Sequence, residues 1–154
     1  MNEIFKENSK LYKQNQILVC EEKRKKLKLE TRERNFYRIK IDEGVSQDNK
    51  HKKCDFIILE TMKHICIYVE LKGKKLKDAF EQIGESYNNY NSFFKKDTKR
   101  YAVIVFSKCP KQDTSIQNLK TQLREKGFRG IFQKENLIEL FYDKNDEKDP
   151  IKMK

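Results

Sequence analysis

Asp55, Glu70 and Lys72 lie within CDFIILETMKHICIYVELKGKKLKDAFEQ, residues 54–82, where two apolar runs flank a short polar break. The runs, Cys54–Leu59 and Ile65–Leu71, are rich in Ile, Val, Phe and Tyr and have strand length. Their closeness predicts an antiparallel hairpin turning between Met62 and Lys63, so that opposed residue numbers sum to 125. That register sets Asp55 directly across from Glu70, with Cβ atoms about 4.5–5.5 Å apart on one face. Two opposed carboxylates repel and make each other costly to ionise, so they need a cation. Lys72, two residues beyond Glu70, leaves the strand on the same face. Carboxylate, carboxylate and ammonium converging at strand ends can hold a hard, oxygen-preferring ion and a nucleophilic water.

The elements that would position these groups follow from the surrounding pattern. Leu76, Ala79, Phe80, Ile83, Tyr87 and Tyr90 recur at helical spacing, which predicts a helix over Lys74–Asn91. Gln82 falls near the edge of its apolar stripe, within reach of the strand ends. Phe36–Asp42 alternates as a half-buried strand, and Tyr101–Phe106 is continuously apolar, as a strand buried on both faces would be. A strand–helix–strand order favours a parallel crossover between the hairpin and Tyr101–Phe106. Thr114 and Gln117 fit a capping box and Gly127 a helix terminus, with short strands expected near Arg129–Gln133 and Leu137–Tyr142.

Asp55, fourteen intervening residues, Glu70-Leu71-Lys72 and a following helix bearing Gln82 together resemble the PD-(D/E)xK phosphodiesterase superfamily, which includes restriction endonucleases and Holliday-junction resolvases. The resemblance covers roughly residues 36–106. Cys54 stands where the family's proline is usual, and Tyr87 follows Gln82 at five residues rather than four. The resemblance implies a single α/β domain: a mixed central sheet with flanking helices, built on an αβββαβ restriction-endonuclease-like core. It implies Mg²⁺ as cofactor, with Mn²⁺ able to substitute, held by Asp55, Glu70 and the Leu71 carbonyl. Lys72 and Gln82 would complete the catalytic set, Lys72 by orienting water or stabilising developing charge. The family often draws a further acid from an early helix, for which Glu22, Glu30 and Glu33 are candidates, although acids on a charged helix mostly face water. Asp42 or Glu43 could also reach the metal, yet Asp42-Glu43-Gly44 reads first as a turn.

Lysine and arginine number 35 against 24 acids, a formal charge of +11 that favours polyanionic partners, nucleic acid before anionic membrane. Lys74, Lys75 and Lys77 are expected to hold the flanking phosphate backbone. YNSFFKKDTKR interleaves aromatic and basic residues, from which Lys95, Lys96, Lys99 and Arg100 are expected to contact phosphate. No apolar run is long enough to span a bilayer, and the first residues lack a secretion signal. Cys20, Cys54, Cys66 and Cys109 are scattered without a Cys-x-x-Cys pair, which favours free thiols in a reducing cytoplasm over disulfides or zinc.

The chain divides, on this reading, into a helical and basic segment at 1–35, a nuclease-like core at 36–142 and a polar, frayed tail at 143–154. Other acid-x-Lys triplets occur, as at Asp97-Thr98-Lys99, but none of them closes an apolar run. The leading expectation is a metal-dependent endonuclease, with DNA preferred over RNA and a homodimer as one way to cut two strands. A non-catalytic nucleic-acid-binding module on the same fold stays open, as does a basic subunit that meets an acidic protein.

Overall fold

The computed structural model describes residues 2–47, 52–62, 64–73, 75–108 and 114–154, the side chains of 72 and 73 excepted. Lys74 and Cys109 thus lie outside the described residues, as does the side chain of Lys72. The chain forms one α/β domain with three α-helices and ten strands among the described residues.

Five of the six strands of the larger sheet come from alternating or continuous apolar runs. They are β4 (Phe36–Lys40), β5 (Phe56–Glu60), β6 (Ile65–Gly73), β7 (Lys99–Phe106) and β8 (Phe128–Glu135); with β1 (Ser9–Tyr12) they lie in the order β1-β4-β5-β6-β7-β8. β1, β4, β5 and β6 are mutually antiparallel in that order, while β6–β7 and β7–β8 are parallel. Helix α2 (Leu76–Tyr90) links β6 to β7, and α3 (Thr114–Glu125) precedes β8; Gly127, at φ +97°, follows α3 in the left-handed conformation that glycine adopts without strain. The β5–β6 pairing runs from Phe56 opposite Val69 to Leu59 opposite Cys66, the register in which paired numbers sum to 125.

Each face of this sheet carries its own core. Ile57, Leu59, Cys66, Tyr68, Ala102 and Ile104 pack against Leu76, Ala79, Phe80 and Ile83 of α2. Ile58, Ile67, Val69, Leu71, Val103 and Val105 face the opposite way, onto Leu18, Cys20, Leu27, Leu29, Ile138 and Leu140. Burial on both faces is why β5, β6 and β7 read as unbroken apolar runs rather than as alternation. Each fully buried side chain of this size is worth about 1.5–3 kcal/mol.

The layer behind that second face corrects the expected N- and C-terminal segments. Among the described residues up to 35 there is one short helix, α1 (Glu3–Glu7), capped by the Asn2 side chain on the Phe5 N–H at 2.9 Å. β1, β2 (Ile17–Glu22) and β3 (Lys25–Glu30) follow, so the charged run from Glu21 onward is the β2–β3 hairpin rather than a solvated helix. Its charge masks period two: Lys25, Leu27 and Leu29 point inward, with Lys26, Lys28 and Glu30 between them half-buried. The tail is likewise structured. β10 (Ile151–Met153) pairs with β9 (Leu137–Tyr142), and β9 pairs in parallel with β3, giving a second sheet ordered β10-β9-β3-β2. Ile151 is buried, which three consecutive residues in a polar tail do not announce. No helix among the described residues is long and apolar enough to cross a membrane.

Candidate metal centre

Asp55 sits at a kink at the entrance of β5. Its N–H donates to the Val69 carbonyl of β6 at 2.9 Å, whereas its own carbonyl accepts the Ile41 N–H on the β4 side at 2.9 Å. In a regular strand both groups point at the same neighbour, so side-chain alternation does not carry through this residue. The ladder accordingly stops at Phe56–Val69, and Asp55 is not a ladder partner of Glu70 as the hairpin register alone implies. Its Oδ2 instead accepts the Leu71 N–H at 2.7 Å. Strand N–H groups lie in the plane of the sheet, so this carboxylate fills the place of a missing β5 carbonyl beyond the strand's end. It is 2% exposed.

Glu70 is held differently. It continues the alternation of Cys66 and Tyr68, which face α2, and it is fully buried. With its amide nitrogen turned toward the acceptors around it, Gln82 donates to Glu70 Oε2 at 2.7 Å and to the Asp78 carbonyl at 3.2 Å. One turn further along the same helix face, Ser86 Oγ accepts the Cys54 N–H at 2.7 Å. Gln82 and Ser86 therefore tie α2 to the Glu70 strand and to the residue before Asp55. Ser86 has no signature in the sequence beyond standing four residues after Gln82.

Two further acids complete the surroundings of Asp55. One carboxylate oxygen from each of Glu22, Asp42 and Asp55 lies within 4.8 Å of the others. Glu22 ends β2, opposite Lys25, across the two-residue turn Lys23-Arg24, whose positive φ values of 47° and 70° are those a type I′ hairpin turn requires. Its position on the second sheet brings it onto Asp55 from the side away from α2. Asp42 belongs to the turn that Asp42-Glu43-Gly44 suggested: Val45 N–H bonds the Lys40 carbonyl at 3.0 Å, and Ser46 N–H the Ile41 carbonyl at 2.9 Å. A Cβ on Gly44 would come within 2.3 Å of the Lys40 carbonyl oxygen, so the turn accepts only glycine there. The turn forms, and the carboxylate it brings to the cluster is that of Asp42. Glu30 is occupied elsewhere, with Lys154 Nζ and Arg32 on its carboxylate.

Lys53 brings a cation to this group that the spacing argument overlooked. Its Nζ lies 3.7 Å from Asp42 Oδ1, and the residue is only 8% exposed. Two lysines immediately before Cys54-Asp55 were the available signal. The thiols around the site are protonated: burial drives the Cys54 thiol well above its ordinary range, with the Glu70 and Asp55 charges adding to the rise. Burial likewise raises Cys20, in β2, against the field of Arg38.

The expected phosphate contacts divide. Lys75 and Lys77 are exposed at the start of α2, close after the Glu70 strand. Lys95, Lys96, Lys99 and Arg100 belong to the opposite end of the sheet. Lys99 is paired with Ile65, five residues from Glu70 along β6, about 16 Å at strand rise. Lys99 Nζ bonds the Glu147 carbonyl, and Arg100, 6% exposed, donates to the Thr98 and Lys95 carbonyls at 2.9 and 3.2 Å. Arg100 is thus part of the fold's interior rather than a surface contact for a phosphate beside Asp55.

Comparison with protein-family models, with curated proteins and with solved structures finds no match to this chain.

Proposed function

We propose that the protein is a metal-dependent endonuclease that hydrolyses phosphodiester bonds of nucleic acid, DNA in preference to RNA. The observation that carries this reading is the set of Asp55, Glu22 and Asp42 oxygens within 4.8 Å at a nearly buried strand entrance. Carboxylate oxygens alone, with no sulfur or imidazole donor among the three, suit a hard ion such as Mg²⁺ or Mn²⁺. Three carboxylates this close repel one another, and a bound dication relieves that repulsion. Glu70 and the Leu71 carbonyl, on either side of the backbone N–H that Asp55 holds, are the alternative partners for the same ion. Asp55 is common to both sets.

The bound ion would supply charge stabilisation at the phosphate and a more acidic water. Asp55 is fixed by the Leu71 N–H, so its carboxylate is preorganised rather than recruited. Gln82 orients Glu70 from α2. Lys53 offers a partly desolvated ammonium beside Asp42, suited to holding developing negative charge; Lys72 is the other ammonium proposed for that role. Lys75 and Lys77 would bind the flanking backbone, and the +11 charge would draw the polyanion in.

A screen of single-stranded, duplex and branched DNA and RNA with Mg²⁺, Mn²⁺ or EDTA tests the reading. Chelator-sensitive cleavage that Asp55→Asn abolishes supports it. Salt-sensitive binding with no cleavage in any metal would leave the non-catalytic binding module in its place.

A further inference from the structure

A second charged site lies at the other end of α2. Tyr87, Asn91, Lys96, Arg100 and Lys126 line a cleft of about 390 Å³, and none of the described residues lining it is acidic. Arg100 is paired with Cys66 across β6–β7, four residues from the Glu70 level, about 13 Å along the strand. The cleft is therefore on the α2 side of the sheet but separate from the acids around Asp55.

Its floor carries a charge that no described residue lining the cleft neutralises. Arg100 is 6% exposed, and its guanidinium donates to neutral carbonyls, those of Thr98, Lys95 and Lys96 at 2.9, 3.2 and 3.5 Å. Its Nε is buried without any hydrogen-bond partner, as is the Asn91 Oδ1 beside it. The guanidinium and the Lys126 ammonium stand 5.7 and 5.5 Å from the Tyr87 ring centre, so this one ring has two cations against it. Buried arginines are almost always matched by an anion, because an unpaired buried charge costs several kcal/mol. Carbonyls at turn and helix ends offer only partial charge. Lys96 and Lys126 are exposed at the rim, free to converge on a group placed above the floor.

We infer that this cleft binds a phosphomonoester, carried either on the end of a nucleic-acid strand or on a free nucleotide. Three cations without an acid match a dianion better than the single charge of a phosphodiester, and charge-assisted contacts of this type are the strong ones. The site does not depend on the metal centre, and its test is independent of cleavage.

Calorimetric titration at low salt with decathymidylate bearing or lacking a 5′-phosphate, with adenosine 5′-monophosphate and with adenosine tests this. The terminal phosphate is expected to tighten oligonucleotide binding about tenfold, and Lys96→Ala and Lys126→Ala each to remove most of that gain. Asp55→Asn is expected to leave it unchanged. Adenosine 5′-monophosphate binding as tightly as the phosphorylated strand identifies the free nucleotide as source; weaker binding identifies the strand end. Equal affinity for phosphorylated and unphosphorylated strands together with no preference for the monophosphate over adenosine overturns the inference, as does a phosphate gain that survives both lysine substitutions.

Discussion

The Asp55 carboxylate accepts the backbone N–H of Leu71 at 2.7 Å, so an acid at one strand's entrance holds the backbone beside the acid of the next strand. The two tasks of this side chain, closing the ladder and presenting charge, separate on substitution. Asp55→Ala leaves the Leu71 N–H unpaired at a fully buried residue, a loss of about 1–3 kcal/mol. Asp55→Asn retains an acceptor and is expected to unfold within about 1 kcal/mol of the wild type while losing metal-dependent activity. Urea unfolding of the two variants checks the difference; equal destabilisation would mean that the Leu71 bond contributes nothing.

Gln82 and Ser86 predict a helix that is docked by polar contacts as well as by its apolar stripe. Ser86→Ala leaves the buried Cys54 N–H without its acceptor and should cost about 1–3 kcal/mol. Gln82→Glu places a second carboxylate against Glu70 and should weaken stability more at pH 8 than at pH 5, because like charges disfavour one another's ionisation. Thermal unfolding at the two pH values reads the effect, and an unchanged pH response would remove Gln82 from contact with Glu70.

Thiol chemistry offers a check that needs no substrate. Burial raises the Cys54 and Cys20 thiols well above their usual range and pushes Cys66 up to about 12. None of these three forms thiolate near neutrality, and the thiolate is the reactive species. Native protein treated with iodoacetamide at pH 8 should therefore remain unmodified at all three for as long as it stays folded, as read by peptide mass spectrometry. Rapid native labelling of Cys54 would contradict the packing of α2 over it.

The C-terminal strand carries a prediction of its own. The Glu30 carboxyl is held below the usual range first by its bond from Lys154 and then by Arg32. A depressed folded value means that its contribution is present above the unfolded carboxylate pKa of about 4.3 and is lost as pH falls through the folded value. Stability should therefore decline from about pH 5 to pH 3 more steeply in the wild type than in Glu30→Gln. Ile151→Ala, which empties a buried position of β10, should cost about 2–5 kcal/mol at any pH; loss of less than about 0.5 kcal/mol would mean that β10 is not docked.

How far the sequence discloses this molecule depends on which force placed each residue. The hairpin register, α2 and the strand at Tyr101–Phe106 were legible because apolar burial on a fixed period leaves a pattern. β3 was not, because four of its six residues, Lys25, Lys26, Lys28 and Glu30, are charged and the run reads as charge before it reads as alternation. Asp55 was recognisable by type and spacing, but its orientation was not. The kink depends on where its carbonyl and N–H find partners in two different strands, which no local pattern encodes. Glu22 reaches Asp55 through the packing of one sheet on another and Asp42 through the turn after β4, so only their acidity was visible in advance. Arg100 shows the converse: a basic residue in a basic run, whose burial follows from its place on a central strand.

The most direct test is calorimetric titration of Mn²⁺ into the wild type, Asp55→Asn, Glu22→Gln and Glu70→Gln, with and without DNA present. Saturable binding by the wild type that falls at least about tenfold in Asp55→Asn is the expected result, and the larger loss between Glu22→Gln and Glu70→Gln identifies which acid shares the ion. Wild-type protein that takes up no divalent ion even with DNA bound, or Asp55→Asn that binds it as tightly as wild type, would contradict a metal centre at Asp55.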